Sequence, residues 1–121
     1  LTMLEMAKKQ ILPAVLSYIK DLSDTAAVKK QLSSAMCCDA EEALITKLSA
    51  LASSFYKKIE ALNQAVLGAT DFDDIKAEGT YYHDVIFLAM QELRSVADEM
   101  ETLVGDKYWP FPTYTDLLYR V

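Results

Sequence analysis

An unbroken heptad pattern in the middle of the chain is the feature that most constrains its fold. Apolar residues recur there at alternating steps of three and four, at Ile45, Leu48, Ala52, Phe55, Ile59, Leu62 and Val66. A second pattern, with alternating steps of four and three, runs through Ile75, Gly79, Tyr82, Ile86, Ala89, Leu93, Val96, Met100 and Leu103. Such spacing places the apolar side chains on one face of a helix, where another helix can cover them. The two seams therefore predict an all-α protein.

The first third of the chain adds one long and one short helical pattern. The long one runs from about 4 to 22 and carries its apolar face on Leu4, Ile11, Val15, Tyr18 and Leu22. Pro13 lies inside it and lacks a backbone donor, which predicts a kink or a restart. The short one runs from about 25 to 35 after Asp24, a favourable N-cap, and carries Val28, Leu32 and Met36 as its stripe.

Few residues in this chain favour turns, since glycine and proline number only three each. A few long elements are therefore expected rather than many short strands. The connection near residues 68–70 is long enough only to reverse the chain. Together these features predict an antiparallel up-down helical bundle of three long helices plus one short helix.

Residues 105–121 differ in composition from everything before them. They hold five of the twelve aromatic residues and two of the three prolines. Gly105 can end the preceding helix in the left-handed region, and the residue before each proline is pushed towards extended geometry. We therefore divide the chain into a helical bundle, 1–104, and an extended aromatic and proline-rich C-terminal tail, 105–121.

The tail would be costly to leave in water, so it is expected to pack on the bundle or on a neighbouring subunit or domain. Folding back onto its own bundle is favoured, because a local partner involves less loop-closure entropy. The candidate structural and interface residues are Tyr108, Trp109, Pro110, Phe111, Pro112, Tyr114, Leu117, Leu118 and Tyr119.

The net charge of −6 is concentrated in the second half of the chain. Residues 1–62 carry eight lysines and seven acids, a balance of +1, whereas residues 63–121 carry four basic residues and eleven acids, a balance of −7. An acidic half disfavours nucleic acid and anionic membrane as partners. No apolar run of about 18 residues and no signal peptide occurs. Adjacent Cys37 and Cys38 do not form a disulfide framework, which favours a reducing, cytoplasmic location.

No motif in the chain predicts catalysis or metal binding. His83 has Gly79 and Thr80 where a di-metal bundle would place the glutamate of its Glu-x-x-His pair. The acidic cluster Asp71, Asp73 and Asp74 lacks the spacing of a calcium loop and instead suits the positive N-terminus of a helix. The cysteines have no base and orienting group at a spacing typical of nucleophilic catalysis. We therefore assign no catalytic, cofactor-binding or metal-binding residue.

Three segments of the sequence resemble one enzyme family. The terminal GDKYWPFPTYTDLLYRV, the ELRSVADEMETLV helix before it and the upstream KKQILPAVLSYIKDL resemble the C-terminal helical region of type III glutamine synthetases. The resemblance implies a parent enzyme that joins ammonia to glutamate through a γ-glutamyl phosphate, using ATP and Mg²⁺ or Mn²⁺. It places the metal-binding and phosphate-binding residues in a catalytic domain outside this chain. Because the chain opens at Leu1 rather than Met, we expect a fragment or a processed product.

The resemblance implies an accessory role for these residues. The segment alone is expected to be inactive and to help organise a large homo-oligomer, with the catalytic domain of the same chain and neighbouring subunits as partners. A stand-alone acidic helical interaction module of unrelated function remains the alternative, and a di-metal bundle is a weaker third. The reading frame upstream of Leu1 would discriminate between the ligase and the module.

Overall fold

The computed structural model describes residues 2–69 and 75–111, and within them the chain is helical with no strand. This confirms the predicted all-α class. The helical segments, in chain order, are α1 (Thr2–Met6), a first π-helical turn (Ala7–Ile11), α2 (Leu12–Leu32), α3 (Asp39–Gly68), α4 (Ile75–Tyr81), a second π-helical turn (Tyr82–Ile86) and α5 (Phe87–Glu101).

These segments join end to end into three helical rods, over 2–32, 39–68 and 75–101. The predicted separate short helix is wrong, because residues 25–32 continue α2 without a break. Ser23 and Thr25 donate their side-chain hydroxyls to the carbonyls of Ile19 and Asp21, at 2.8 and 2.9 Å. Those bonds let two residues that favour turns remain inside a helix. The expected N-cap, Asp24, instead accepts a hydrogen bond from Lys20 at 3.2 Å.

The predicted disturbance at Pro13 is present as a change of helix type. The π-helical turn ends at Ile11, and α2 begins with proline in its first positions. The Leu12 amide donates to the carbonyl of Ala7, five residues back. A wider turn just before proline accommodates both the missing donor and the ring. The rod therefore continues through Pro13.

The first two rods lie antiparallel. Lys29 Nζ contacts Glu41 Oε2 at 2.6 Å near their connection, whereas Leu12 and Lys57, farther from it, line one groove. The neighbouring residues therefore have falling numbers along the first rod and rising numbers along the second. This is the pairing of an antiparallel helical hairpin.

The second and third rods are antiparallel by the same test. The hydroxyl of Tyr81 donates to the carbonyl of Ala65 at 2.8 Å, and Lys58 Nζ lies 3.6 Å from Glu92 Oε2. The middle rod therefore contacts both others, in an up-down-up order.

One core holds the rods together, and its most enclosed residues come from all three. The first predicted seam is confirmed, since its members from Leu48 to Leu62 are buried. The described residues that form the core are Leu4, Ala7, Val15, Leu48, Ala52, Phe55, Ile59, Leu62, Ala65, Ile86, Leu93, Met100, Val104 and Trp109.

The second predicted seam is correct from Ile86 onwards and wrong before it. Ile75, Gly79 and Tyr82 are exposed, and Tyr81 packs against the core instead. The π-helical turn at 82–86 explains the change, because it adds one residue to a turn and rotates the preceding residues out of phase. A search for periodicity that assumes a uniform α-helix cannot predict this change of helical phase.

Candidate functional site

The described part of the aromatic tail begins with a reversal of the chain. The Tyr108 amide donates to the carbonyl of Gly105 at 2.9 Å, and the Trp109 amide donates to that of Asp106 at 3.3 Å. α5 ends at Glu101, four residues before Gly105, and no described glycine has a positive φ, so the predicted left-handed helix end at Gly105 is wrong. Residues 105–109 are thus turned, whereas the sequence predicted an extended segment. We call residues 105–111 the aromatic turn.

The aromatic turn is anchored in the core by its tryptophan. Trp109 is only 9% exposed and belongs to the same buried cluster as Val104 at the end of the third rod. Phe111 is half-buried against that cluster, and Pro110 between them is exposed. The predicted candidates Pro112, Tyr114, Leu117, Leu118 and Tyr119 lie outside the described residues.

Tyr108 connects the aromatic turn to the first rod by a ring contact and a hydrogen bond. Its ring lies 4.9 Å from the ring of Tyr18, at an angle of 51° between the planes. Its hydroxyl donates a hydrogen bond to Asp21 Oδ2. Lys107 Nζ lies 5.0 Å from the same ring. The described start of the tail therefore contacts its own bundle.

The hydrogen bond to Asp21 raises the pKa of Tyr108, because the bond is made by the protonated hydroxyl. A raised pKa in the folded state means that the bond stabilises the fold at neutral pH and is lost as pH rises through that pKa. We expect Trp109 emission of the wild-type chain to shift to the red over that alkaline range. In the Tyr108→Phe variant, the part of the red shift in Trp109 emission that comes from ionisation of the Tyr108 hydroxyl should be absent. Identical alkaline profiles for the two proteins would show that the bond does not hold the turn.

A groove of about 390 Å³ opens beside the aromatic turn. The first rod contributes two methionine side chains, Met3 and Met6, and the turn contributes Trp109 and Phe111. Arg94, Asp98 and Glu101 of α5 add charged groups to an otherwise apolar lining. Methionine and aromatic side chains provide an adaptable apolar surface.

Residues considered for chemistry are not brought together in the part of the chain that the structure describes. His83 stacks on Phe87 with ring centroids 6.2 Å apart, and its Nδ1 lies 3.1 Å from Asp84 Oδ1. Cys37 is exposed and Cys38 is buried, both as free thiols. Asp71, Asp73 and Asp74 lie outside the described residues. Among residues 2–69 and 75–111, no three His, Cys, Asp or Glu side chains are grouped so as to hold a metal ion.

Sequence reasoning missed the partners of the aromatic turn. The sequence identified Tyr18 as a core residue of the first rod. It did not identify Asp21 as a partner of the tail, because an isolated acid on a helix usually faces water. Met3 precedes the pattern that we recognised, and Met6 lies within it but was not among the residues assigned to its apolar face. A partner 87 residues away along the chain can be found only once the rods are placed side by side.

Comparison with known proteins relates the chain to one enzyme class. It is 32% identical over all 121 residues to a glutamine synthetase of Butyrivibrio fibrisolvens. Over 120 residues it is 25% identical to a type-3 glutamine synthetase of Dictyostelium discoideum and 24% identical to a glutamine synthetase of Bacteroides fragilis. The alignments cover 100%, 95% and 95% of this chain. No protein-family model and no solved structure matches it.

The fold and these matches together define a helical region related to the glutamine synthetases. One of the relatives is a type-3 enzyme by name, which confirms the resemblance that the tail and the helices suggested. The chain spans only 16–17% of the length of these relatives. Within the described residues, no helix is long and apolar enough to cross a membrane.

Proposed function

We propose that this chain is an accessory helical segment of a type III glutamine synthetase and that its role is structural. The parent enzyme would join ammonia to glutamate with ATP and Mg²⁺ or Mn²⁺, in the cytoplasm. The observation that carries the proposal is the similarity to glutamine synthetases along the whole chain, in a segment that makes up only 17% of one relative. Residues that act on substrate would lie in the remaining part of such a polypeptide.

The aromatic turn suggests how the segment is organised within that enzyme. Trp109 and Tyr108 connect the third rod to the first, so the three described rods and the aromatic turn would act as a single packed body. A rigid body of helices is suited to holding other domains and subunits at a fixed distance, because helix packing resists deformation. We infer that the catalytic domain of the same chain and neighbouring subunits are the partners.

The proposal predicts that the longer polypeptide is active and that this segment alone is not. The polypeptide that contains this segment should form glutamine from glutamate, ammonia and ATP, and the 121-residue chain alone should form none. Glutamine should be measured directly by mass spectrometry, with phosphate release measured in parallel. Turnover by the 121-residue chain would refute the structural role, and a containing polypeptide without glutamine synthesis would refute the assignment to the enzyme.

A further inference from the structure

Two adjacent thiols lie in the connection between the first and second rods. Cys37 and Cys38 stand between Leu32, where α2 ends, and Asp39, where α3 begins. Both are free thiols, and Cys37 is exposed whereas Cys38 is only 2% exposed. An accessible thiol next to a second thiol that can react with its oxidised form is typical of redox-sensing cysteines. The structural role proposed above uses neither of them.

The enclosed thiol joins the connection to the first rod. Cys38 Sγ donates to the carbonyl oxygen of Ala26 in α2, at 3.7 Å. Cys38 is also the residue that precedes α3, and its carbonyl accepts the amide of Glu42 at 2.9 Å. This is the first hydrogen bond of that helix, made by the carbonyl of the capping residue. The position of Cys38 therefore determines how the start of α3 meets α2.

An ion pair crosses between the two rods beside these thiols. Lys29 Nζ of α2 lies 2.6 Å from Glu41 Oε2 in the first turn of α3. The hydrogen bond to Glu41 raises the pKa of Lys29, and Cys38 and Cys37 act on it in the same direction. The Lys29 ammonium group is thus near both sulfurs. We call residues 26–42, which these contacts join, the α2–α3 junction.

Only one of the two sulfurs is open to solution. A dissolved reagent meets Cys37 first, because Cys38 is enclosed and bonded to α2. Once Cys37 is oxidised, Cys38 is its next neighbour in the chain, and a reaction within one molecule needs no second encounter. The hydrogen bond to Ala26 is lost in that reaction, because the sulfur of a disulfide carries no hydrogen to donate.

We propose that Cys37 and Cys38 form a reversible disulfide, with a low-molecular-weight disulfide as oxidant, and that this bond loosens the α2–α3 junction. Cys37 loses its proton and attacks one sulfur of the oxidant, whose other half leaves as a thiol after taking up a proton. Cys38 then loses its proton and attacks the Cys37 sulfur, which releases the second half in the same way. Two cysteine thiols are oxidised, and one small disulfide is reduced to two thiols.

The proposed bond is one that a thiol reductant can reverse. Adjacent Cα atoms are about 3.8 Å apart, whereas the Cα atoms of most disulfides are about 4.4 to 6.8 Å apart. A disulfide between neighbours is therefore strained, and strained or exposed disulfides are the labile and regulatory ones. Free thiols, as in this structure, are then the state expected in a reducing compartment.

Oxidation loosens the α2–α3 junction for two reasons. The Cys38 side chain exchanges an enclosed site against α2 for a bond to the exposed Cys37, so packing at that site is lost. The strained peptide unit between the two cysteines also directly precedes the carbonyl that accepts the Glu42 amide. Hydrogen exchange of Glu42 should therefore become about tenfold faster or more, whereas amides near Ala65, towards the far end of α3, should keep their rate.

Mass spectrometry after oxidation tests whether the bond forms. The 121-residue chain, which has no other cysteine, is incubated with oxidised glutathione, and the remaining free thiols are alkylated. We expect a peptide holding both cysteines that has lost two hydrogen atoms, carries no alkyl group and regains both thiols with a reductant. A lasting glutathione adduct on Cys37, a disulfide between two copies of the chain, or unreacted thiols would each overturn the proposal.

Two serine variants test the order of the two steps. Cys38→Ser keeps a hydroxyl that can donate to Ala26, and its reaction should stop at a glutathione adduct on Cys37. Cys37→Ser should leave Cys38 unmodified, because the enclosed thiol is not reached from solution. Modification of Cys38 in that variant as fast as that of Cys37 in the wild type would contradict the order.

Hydrogen exchange of the reduced and the oxidised chain, followed by nuclear magnetic resonance, tests the loosening. The Glu42 amide reports on the α2–α3 junction, and the amides near Ala65 serve as the internal reference. Cys37→Ser treated with the same oxidant is the matched control, since it cannot form the bond. Equal exchange of Glu42 in the two states of the wild type would overturn the loosening. Both experiments use this chain alone, so their outcome does not depend on whether a longer polypeptide forms glutamine.

Discussion

Replacing Phe55 with alanine is expected to lower the free energy of unfolding by about 3 to 5 kcal/mol, the usual cost of emptying a buried aromatic site. Phe55 is 1% exposed at the centre of the middle rod. It lies in the core cluster with residues of both other rods, and it lines the groove together with Leu93. The cavity cannot close without movement of all three helices. Urea unfolding followed by circular dichroism measures the change.

The neighbouring Tyr56 provides a matched control for that measurement. It is also an aromatic residue of α3, but it is 55% exposed, on the side that faces the groove along the first rod. Tyr56→Ala should therefore cost clearly less than Phe55→Ala, because less apolar surface returns to water. Equal costs for the two variants would mean that the seam is assigned to the wrong face.

Replacing Trp109 with alanine should have the second large effect, about 3 kcal/mol, towards the lower end of the range for buried aromatic residues. Trp109 is buried, but its site borders the open groove, so water or neighbouring side chains can partly fill the space. The lost packing also frees the aromatic turn from the end of the third rod. Chemical unfolding followed by circular dichroism measures the cost without relying on tryptophan emission.

Asp106→Ala serves as the control within the same turn. Asp106 is exposed, and its carbonyl accepts the Trp109 amide through the backbone, which the substitution leaves in place. We expect a change within about 0.5 kcal/mol, as for most surface substitutions. If Trp109→Ala is equally mild, the aromatic turn does not contribute to the stability of the bundle.

Much of the fold could be predicted because helical periodicity is a local property. The seam through Leu48, Phe55 and Leu62 follows from spacing alone, and the structure buries all three. The same reasoning placed Val15 inside and marked Pro13 as a disturbance. Apolar residues on one face of a helix must be covered in water, so sequence alone determined an all-helical chain with one main core.

The relative lengths of the helices were decided by the tertiary structure. The stripe of Val28 and Leu32 has the period of a buried face, yet it is exposed. The third rod ends at Glu101, which lines a groove with Phe55 of the middle rod, whereas the middle rod begins at Asp39. Tyr81 takes a core position that the pattern assigned to Tyr82, because a π-helical turn changes the phase. Neither effect can be read from spacing, since each depends on how far one rod extends beside another and where its turns widen.

The sequence by itself determined the all-helical class, the buried face of the middle rod and the relation to the glutamine synthetases. Only the tertiary structure decided that Tyr108 meets Tyr18 and Asp21, that Trp109 completes the core, and that Val28 and Leu32 are exposed. The physical reason is the range of the interactions concerned. Helix formation and amphipathicity depend on neighbours within a few residues, whereas tail docking and uncovered surface depend on chain segments that packing brings together from far apart.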